Sequence, residues 1–249
     1  MLSLTLALAL ATLPDTTGKT WDGRAGQVKV PIPRLEESIT VDGDLAEPAW
    51  GKAAVLTGFS QYSPVDQQSA VDSTQVLVWY SPTAIHFGVR AWSPPGTVNA
   101  NLSDRDKITA DDAIEIILNT FNDGRQAFVF GVSALGVQSD GTINEGVRAS
   151  GRSTDAANSA GRPATDLSAN FVYDSRGRVT PFGYVIEVRI PFKSLRYQGA
   201  AVQDWGLQVV RRSPYLGHEN TWTPARLNAA SFLGSRARSP DSPGSSAGS

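Results

Sequence analysis

Four aspartates lie close together in the middle of the chain and could act jointly as metal ligands: Asp104, Asp106, Asp111 and Asp112. Carboxylates spread along a loop and into the start of a strand supply the oxygen ligands that calcium prefers. The same side chains can instead pair with Arg105 or Arg125 and cap turns. No D-x-D-x-D-G loop decides between the two. Calcium is therefore the one cofactor that we predict, and structural contacts are the alternative.

Residues suited to acid–base or nucleophilic catalysis are dispersed along the chain. A glycoside hydrolase places two carboxylates about 5 to 10 Å apart across the bond that it cleaves. Glu115 and Glu187 lie in separate alternating strands, where solvent exposure or cross-strand pairing with Arg189 is the simpler expectation. His86 and His218 are distant in sequence, and no G-x-S-x-G elbow presents a nucleophilic serine. We therefore predict a non-catalytic protein and keep a glycoside hydrolase as an alternative.

The composition favours a large all-β domain. A chain of 249 residues can bury a sizeable core, and its 23 glycines and 15 prolines punctuate the sequence as in short strands joined by turns. The net charge of −2 gives no reason to expect a nucleic-acid surface or a polybasic membrane patch. The lack of cysteine excludes a disulfide framework, a thiolate zinc site and a cysteine nucleophile.

Alternating apolar residues predict a series of short strands. They are Thr74–Tyr80, Ala84–Trp92, Ala113–Leu118, Gln126–Val132, Tyr184–Ile190, Trp205–Val210 and Thr221–Thr223. In the first of them, Val76 and Val78 share one face, and Leu77 and Trp79 share the other. No amphipathic helix longer than about two turns stands out. We therefore predict an all-β fold, an antiparallel β-sandwich with short helical turns only.

Three further segments carry specific expectations. Ile39–Gly43 is predicted to be a strand running into a turn, followed by Pro48 at the first position of a helix. Gly136–Gly141 is predicted to be a strand closed by an Asp-Gly turn. Ala149–Thr165 has low complexity and is predicted to be a surface loop, mobile unless it folds over a ligand.

The two ends of the chain differ from its middle. Met1–Leu13 is an apolar run, so residues 1–17 resemble a secretory signal peptide, with a buried strand or helix as the alternative. Residues 18–37 are polar and are expected to form a linker to the domain at residues 38–233. Residues 234–249 are rich in Ser, Gly, Pro and Arg, which is typical of a disordered tail.

Several ordered motifs resemble those of the carbohydrate-binding family 9-like domains, over about residues 39–232. V-D-G-D-L-A-E-P-A-W (Val41–Trp50) resembles the opening of these domains. One branch of them is similar to D-R-D-K-I-T-A-D-D (Asp104–Asp112), N-T-F-N-D-G-R-Q-A-F-V-F (Asn119–Phe130), G-V-Q-S-D-G (Gly136–Gly141) and R-I-P-F-K-S-L-R-Y (Arg189–Tyr197). In that branch the domain precedes an uncharacterised region regarded as an outer-membrane β-barrel.

The resemblance implies a β-sandwich in an exported envelope protein of the periplasm or outer membrane, linked to carbohydrate uptake or breakdown. Its implied partner is a mono- or oligosaccharide, or the barrel region, which has no counterpart in this chain; we therefore expect a truncated member. Family 9 modules carry calcium, which favours a metal at the acidic loop. Neither a nucleic acid nor a transmembrane helix is expected.

The six tryptophans are the residues best suited to sugar binding, because the apolar face of a pyranose stacks on an indole. Trp50, Trp205 and Trp222 are expected in the core, whereas Trp79 and Trp92 lie near strand ends and are the predicted ligand-binding residues. In the sugar-binding members of the family two tryptophans clamp a terminal sugar. At the corresponding positions this chain has Thr109 in one case, and Ala229, Ala230 and Phe232 in the other.

We therefore expect a non-catalytic carbohydrate-binding module. Two alternatives stay open. The domain could have kept the fold without the sugar site and serve as a docking or plug element for a barrel, or it could be a glycoside hydrolase. Exposed aromatic residues would favour sugar binding, and a smooth apolar patch along one edge would favour docking.

Overall fold

The computed structural model describes residues 18–146, 162–199 and 203–235. The predicted signal peptide, most of the predicted low-complexity loop and the predicted tail from residue 236 lie outside the described residues. Within them, no helix is long and apolar enough to cross a bilayer.

Twelve strands account for most of the described structure. They are β1 (Thr20–Asp22), β2 (Ala54–Thr57), β3 (Ser60–Ser63), β4 (Thr74–Tyr80), β5 (Ala84–Trp92), β6 (Ala113–Asn119), β7 (Gln126–Ser133), β8 (Gln138–Asn144), β9 (Asp174–Thr180), β10 (Gly183–Pro191), β11 (Gly206–Ser213) and β12 (His218–Thr221). The helical elements described are short: α1 (Pro48–Gly51) and two 3₁₀ turns at Phe192–Ser194 and Leu233–Ser235.

The strands form two six-stranded sheets. The first sheet has the order β1-β2-β4-β5-β10-β9, and the second has the order β3-β12-β11-β6-β7-β8. Neighbouring strands are antiparallel except for β1 and β2, which run parallel. The structure thus confirms the all-β sandwich.

The main core lies between the two sheets and follows from strand alternation. Val76 and Val78 of β4 point into it with Phe87 of β5, and Ile116 of β6 and Val209 of β11 meet them from the second sheet. Each of these side chains is fully buried, which stabilises the fold by roughly 1.5–3 kcal/mol per residue.

Each sheet also buries part of its outer face. On the first sheet, Leu77 and Trp79 are covered by Leu45, Trp50 and their neighbours from the segment that precedes β2. On the second sheet, residues of the C-terminal segment cover an apolar cluster on the outer face. The cluster consists of Tyr62, Ile117, Ala127, Val129, Ile143, Val210, Ala225, Phe232 and Leu233. The outer face of the second sheet also holds buried charged side chains, and these form the candidate site described below.

Most predicted strands are confirmed, and α1 begins at Pro48 as expected. Three expectations are wrong. Ile39–Gly43 forms no strand, and the backbone N–H groups of Asp42 and Gly43 donate instead to the buried carboxylate of Glu187. Asp140 and Gly141 continue β8 because they pair with Phe130 and Val129 of β7.

The third wrong expectation concerns the linker, because Thr20–Asp22 is β1 and pairs with β2. β12 also lies earlier than predicted, at His218–Thr221, where it pairs with β11. The segments T-W-D and H-E-N-T are too short and too polar to show apolar alternation, so the local pattern carries no sign of either strand.

Candidate functional site

Four buried charged side chains meet on the outer face of the second sheet: Glu115, Arg162, Arg212 and Glu219. We call them the charged quartet. Glu115 lies in β6, and Arg212 lies in the neighbouring β11, opposite Glu219 of β12. Arg162 comes from the segment before β9, which is tied to β8 by backbone hydrogen bonds between Asp166 and Thr142.

The two arginines bind Glu115 from both sides. Arg162 donates from Nη1 to Glu115 Oε2 at 2.7 Å and from Nη2 to Oε1 at 3.3 Å. Arg212 donates from Nη2 to Glu115 Oε1 at 2.6 Å. Glu219 is held more loosely, with Oε1 at 3.6 Å from Arg162 Nη2 and 3.9 Å from Arg212 Nε. Glu115 therefore accepts three hydrogen bonds from the two arginines, whereas the oxygens of Glu219 accept none among the described residues.

The pKa values of the two carboxyl groups are shifted in opposite directions. Burial alone would raise the pKa of Glu115, but Arg162 and Arg212 outweigh it and lower this pKa to about 2. Burial raises the pKa of Glu219, although Arg162 acts in the opposite sense. Burial would lower the pKa of Arg162, but Glu115 and Glu219 raise it, so this guanidinium stays charged.

Several atoms in and beside the quartet have no hydrogen-bond partner among the described residues. These buried atoms are Tyr62 Oη, Thr221 Oγ1 and both carboxylate oxygens of Glu219. Burial raises the pKa of Tyr62 to about 12, so its hydroxyl remains a donor. Buried polar atoms cost free energy when they lack a partner. This part of the sheet therefore keeps polar atoms enclosed within a covered face.

Two residues at the clamp positions implied by the family resemblance come close to the quartet: Phe232, one of three at the second position, and Thr109 at the first. The ring of Phe232 lies 6.0 Å from the Arg162 guanidinium and packs edge-on against Tyr62 at 5.6 Å. On the other side, the carbonyl of Ile108 accepts a hydrogen bond from Arg212 Nη1 at 3.2 Å, and the next residue, Thr109, is exposed. The quartet thus contacts the buried Phe232 ring through Arg162 and, through Arg212, the residue that precedes an exposed threonine.

The geometry favours binding over acid–base chemistry. A pair of carboxyl groups with divergent pKa values is typical of glycosidases. In this quartet, however, the Arg162 guanidinium pairs with both Glu115 and Glu219, whose side chains are only 11% and 5% exposed. The quartet combines acceptors and donors, which is the pattern that sugar hydroxyl groups match.

The two predicted ligand-binding tryptophans have different environments. Trp79 is fully buried, with its ring stacked on His86 at 3.9 Å and edge-on to Trp50 at 6.0 Å. The expectation that Trp79 is exposed is therefore wrong, because Trp50 covers it from a distant segment. Trp92 is 37% exposed and packs against Phe182, and its role as a ligand-binding residue stays a prediction.

The four aspartates of the predicted calcium site are directed to different partners. Asp104 pairs with Lys107 at 2.8 Å, and Asp106 accepts the backbone N–H of Asp140 at 3.1 Å. Asp111 accepts two hydrogen bonds from Asn101, and Asp112 accepts one from the backbone of Asn99.

In the described part of the chain, no group of three or more His, Asp or Glu side chains could hold a metal. The four aspartates do not form one ligand set, and calcium stays a prediction.

Neither histidine belongs to a catalytic triad in the described residues. His86 Nε2 lies 3.3 Å from Ser81 Oγ, but this serine stabilises a turn by accepting the backbone N–H groups of Thr83 and Ala84. Burial, helped by Arg189, lowers the pKa of His86 to about 4. His86 Nδ1 has no hydrogen-bond partner there and no orienting carboxylate.

Neither a protein-family model nor a curated protein matches the chain. Two solved structures share its fold at 12% sequence identity. A candidate carbohydrate-binding protein from Bacteroides uniformis aligns with a TM-score of 0.55 over 84% of this chain and 97% of that chain. A family 9 carbohydrate-binding module from Caldicellulosiruptor kristjanssonii, in complex with cellotriose, aligns with a TM-score of 0.50 over 83% and 91%. The chain therefore has the fold of a family 9 carbohydrate-binding module.

Sequence reasoning missed the quartet as a unit. Arg162 lies in a low-complexity segment, and Glu219 and Arg212 are separated from Glu115 by about a hundred residues of chain. The available signal was Glu115 itself, a lone carboxylate in the otherwise apolar strand A-I-E-I-I-L (Ala113–Leu118). Such a residue on a covered face requires a partner of opposite charge.

Proposed function

We propose that this protein is a non-catalytic carbohydrate-binding module whose sugar site is the charged quartet. One observation carries the proposal: the quartet contacts Phe232 through Arg162 and the carbonyl just before Thr109 through Arg212, and the family resemblance places its clamp positions at Thr109 and at Ala229, Ala230 or Phe232. The fold shared with the family 9 module supports the same class of ligand without defining a site.

The quartet offers sugar hydroxyl groups a mixed set of partners. Arg212 and Glu115 are its most accessible members, with 16% and 11% of their side chains exposed beside Thr109. A hydroxyl pair binds there by accepting a hydrogen bond from Arg212 and donating one to the Glu115 carboxylate. Thr109 provides no aromatic face, so we expect weak binding, with Kd near 1 mM, or about 4 kcal/mol.

The test is calorimetric titration of the full chain with glucose, cellobiose and cellotriose. Glu115→Gln removes the charge that orders both arginines and is expected to abolish binding. Arg212→Lys, which keeps the charge but loses the planar fork, is expected to weaken it at least tenfold. Glu36→Gln is the matched control, because Glu36 is exposed and pairs only with Arg34 among the described residues. Equal binding by all four proteins would contradict the quartet as the site.

The wider setting belongs to the same proposal. The apolar run at Met1–Leu13 supports export, and the family resemblance supports an envelope protein of the periplasm or outer membrane that serves carbohydrate uptake or breakdown. Calcium as a cofactor is tested separately. A calcium site raises the unfolding midpoint in calcium over that in EDTA, and equal midpoints would contradict it.

The alternatives make different predictions in the same titration. A docking or plug domain binds no sugar, yet unfolds cooperatively. A glycoside hydrolase releases a reducing sugar from cellotriose, and Glu219→Gln abolishes that release. A carbohydrate-binding module binds cellotriose without cleaving it, and Glu115→Gln loses that binding.

A further inference from the structure

An exposed aromatic pair lies at one end of the first sheet, on the other sheet from the quartet. Trp92 ends β5 and Phe182 lies in the turn between β9 and β10, and they are 37% and 38% exposed. Their ring centroids are 5.8 Å apart and their planes are tilted by 35°. Two large rings at this spacing present a shallow apolar surface to solvent.

The backbone under this pair is held from the interior by a buried cation. The guanidinium of Arg211, which is fully buried, donates to the carbonyls of Ser73 and Trp92 at 2.9 and 2.7 Å. It also donates to the hydroxyls of Thr74 and Ser93 at 3.0 and 2.7 Å. Charge-assisted hydrogen bonds of this kind fix the strand end that carries Trp92.

The turn that carries Phe182 is fixed against the same strand. The Phe182 carbonyl accepts the backbone N–H of Ser93 at 2.9 Å. Gly183 follows with φ +140°, and a Cβ at this position would lie 2.1 Å from the carbonyl oxygen of Ala91. Both rings are therefore attached to backbone that is already ordered, which lowers the entropy cost of binding.

Polar groups lie beside the rings on the same face of the first sheet. Arg90 is two residues before Trp92, so strand alternation places both on the outer face. Arg90 Nη1 donates to Gln75 Oε1 at 2.8 Å across the β4–β5 pair. An aromatic surface beside a guanidinium and an amide combines stacking with donors and acceptors for hydroxyl groups.

We infer that Trp92 and Phe182, with Arg90 and Gln75, form a second saccharide site that binds along a polysaccharide chain. A pyranose with equatorial substituents has an apolar C–H face that stacks on aromatic rings, while its hydroxyl groups reach the polar pair. The rings are open to solvent, so internal units of a long chain can bind. The quartet is nearly enclosed and suits a chain end or a small sugar.

The test measures retention of the full chain on insoluble cellulose and xylan, by depletion from solution. Trp92→Ala is expected to reduce retention at least tenfold and Phe182→Ala at least threefold. Phe121→Ala is the matched control, since Phe121 is an exposed aromatic residue (47%) at the end of β6 in the second sheet. Its retention is expected to equal that of the wild type.

Cellobiose titration separates this inference from the proposed function. Trp92→Ala is expected to bind cellobiose as the wild type does, whereas Glu115→Gln loses cellobiose binding and is retained on the polymers. Equal retention of Trp92→Ala, Phe121→Ala and the wild type, or no retention of the wild type on either polymer, would overturn the second site. Neither of these two retention results tests whether the quartet binds sugar. Loss of cellobiose binding in Trp92→Ala would show one site instead of two.

Discussion

The outer faces of the two sheets are both covered, but by different chemistry. On the first sheet the cover is aromatic: Trp79 lies between Trp50 and His86. On the second sheet the cover includes the charged quartet, in which Arg162 bridges Glu115 and Glu219. One covered face is thus largely apolar, and the other keeps ionised groups out of bulk water.

This difference separates buried groups that only stabilise the fold from buried groups that can also bind a ligand. Stacked rings gain free energy from close packing, which offsets the cost of ring nitrogens that lack a hydrogen-bond partner among the described residues. Buried ion pairs gain little net stability over apolar packing, so their retention calls for another reason. Under the proposed function, that reason is ligand recognition on the second sheet, where Arg162 and Arg212 pair with Glu115 and Glu219.

The largest effect is expected on the aromatic face. Trp79→Ala removes a fully buried indole from contact with Trp50 and His86, and we expect a loss of about 3–5 kcal/mol in the free energy of unfolding. Urea denaturation measures it. The matched control is Trp92→Ala, an exposed tryptophan, with an expected loss of about 1 kcal/mol or less. Equal losses would remove the structural distinction between the two residues.

The quartet is expected to respond to loss of its central charge. Glu115→Gln leaves two buried guanidinium groups without their ionised partner, which costs about 3 kcal/mol of unfolding free energy. Urea denaturation at pH 7 compares it with Glu36→Gln, which is expected to cost about 1 kcal/mol or less. A cost for Glu115→Gln as small as that of its control would show that the quartet does not act as a buried unit.

The first sheet is expected to show the pH dependence of a buried neutral histidine. Burial and Arg189 lower the pKa of His86 to about 4 in the folded state, against 6.5 for the unfolded chain. Its stabilisation is therefore complete above pH 6.5 and is lost as the pH falls towards 4. His86→Phe removes this contribution, so from pH 6.5 to 4.5 the variant is expected to lose about 2 kcal/mol less stability than the wild type.

Glu187 provides a control of opposite sign on the same face. Burial raises its pKa to about 7, above the unfolded value of 4.5, although the backbone N–H groups of Gly43 and Asp42 act in the other direction. The stability it contributes is present below pH 4.5 and is lost as the pH rises to 7. The difference in urea midpoint between variant and wild type should therefore change with pH in opposite directions for His86→Phe and for Glu187→Gln. Changes in the same direction would contradict the assigned protonation states.

The sequence predicts the regular strands well, but it predicts poorly which distant segments pack over them. Thr74–Tyr80 and Ala84–Trp92 were predicted with the bounds of β4 and β5, because alternation over seven to nine residues is a strong local signal. The Asp140-Gly141 turn signal failed because pairing with β7 outweighs a dipeptide preference. Trp79 was placed wrongly because its cover, Trp50, lies 29 residues earlier and reaches it through the fold.

The smallest expected effect gives the most direct test of the quartet as a sugar site. Thr109→Trp supplies the aromatic face that the exposed edge of the quartet lacks, and Ala110→Trp adds the same ring one residue further on, also at an exposed position. In calorimetric titration with cellobiose, Thr109→Trp is expected to bind at least tenfold more tightly than the wild type, or about 1.4 kcal/mol, and Ala110→Trp to be unchanged. If the affinity of Thr109→Trp equals those of Ala110→Trp and the wild type, the quartet is not the sugar site.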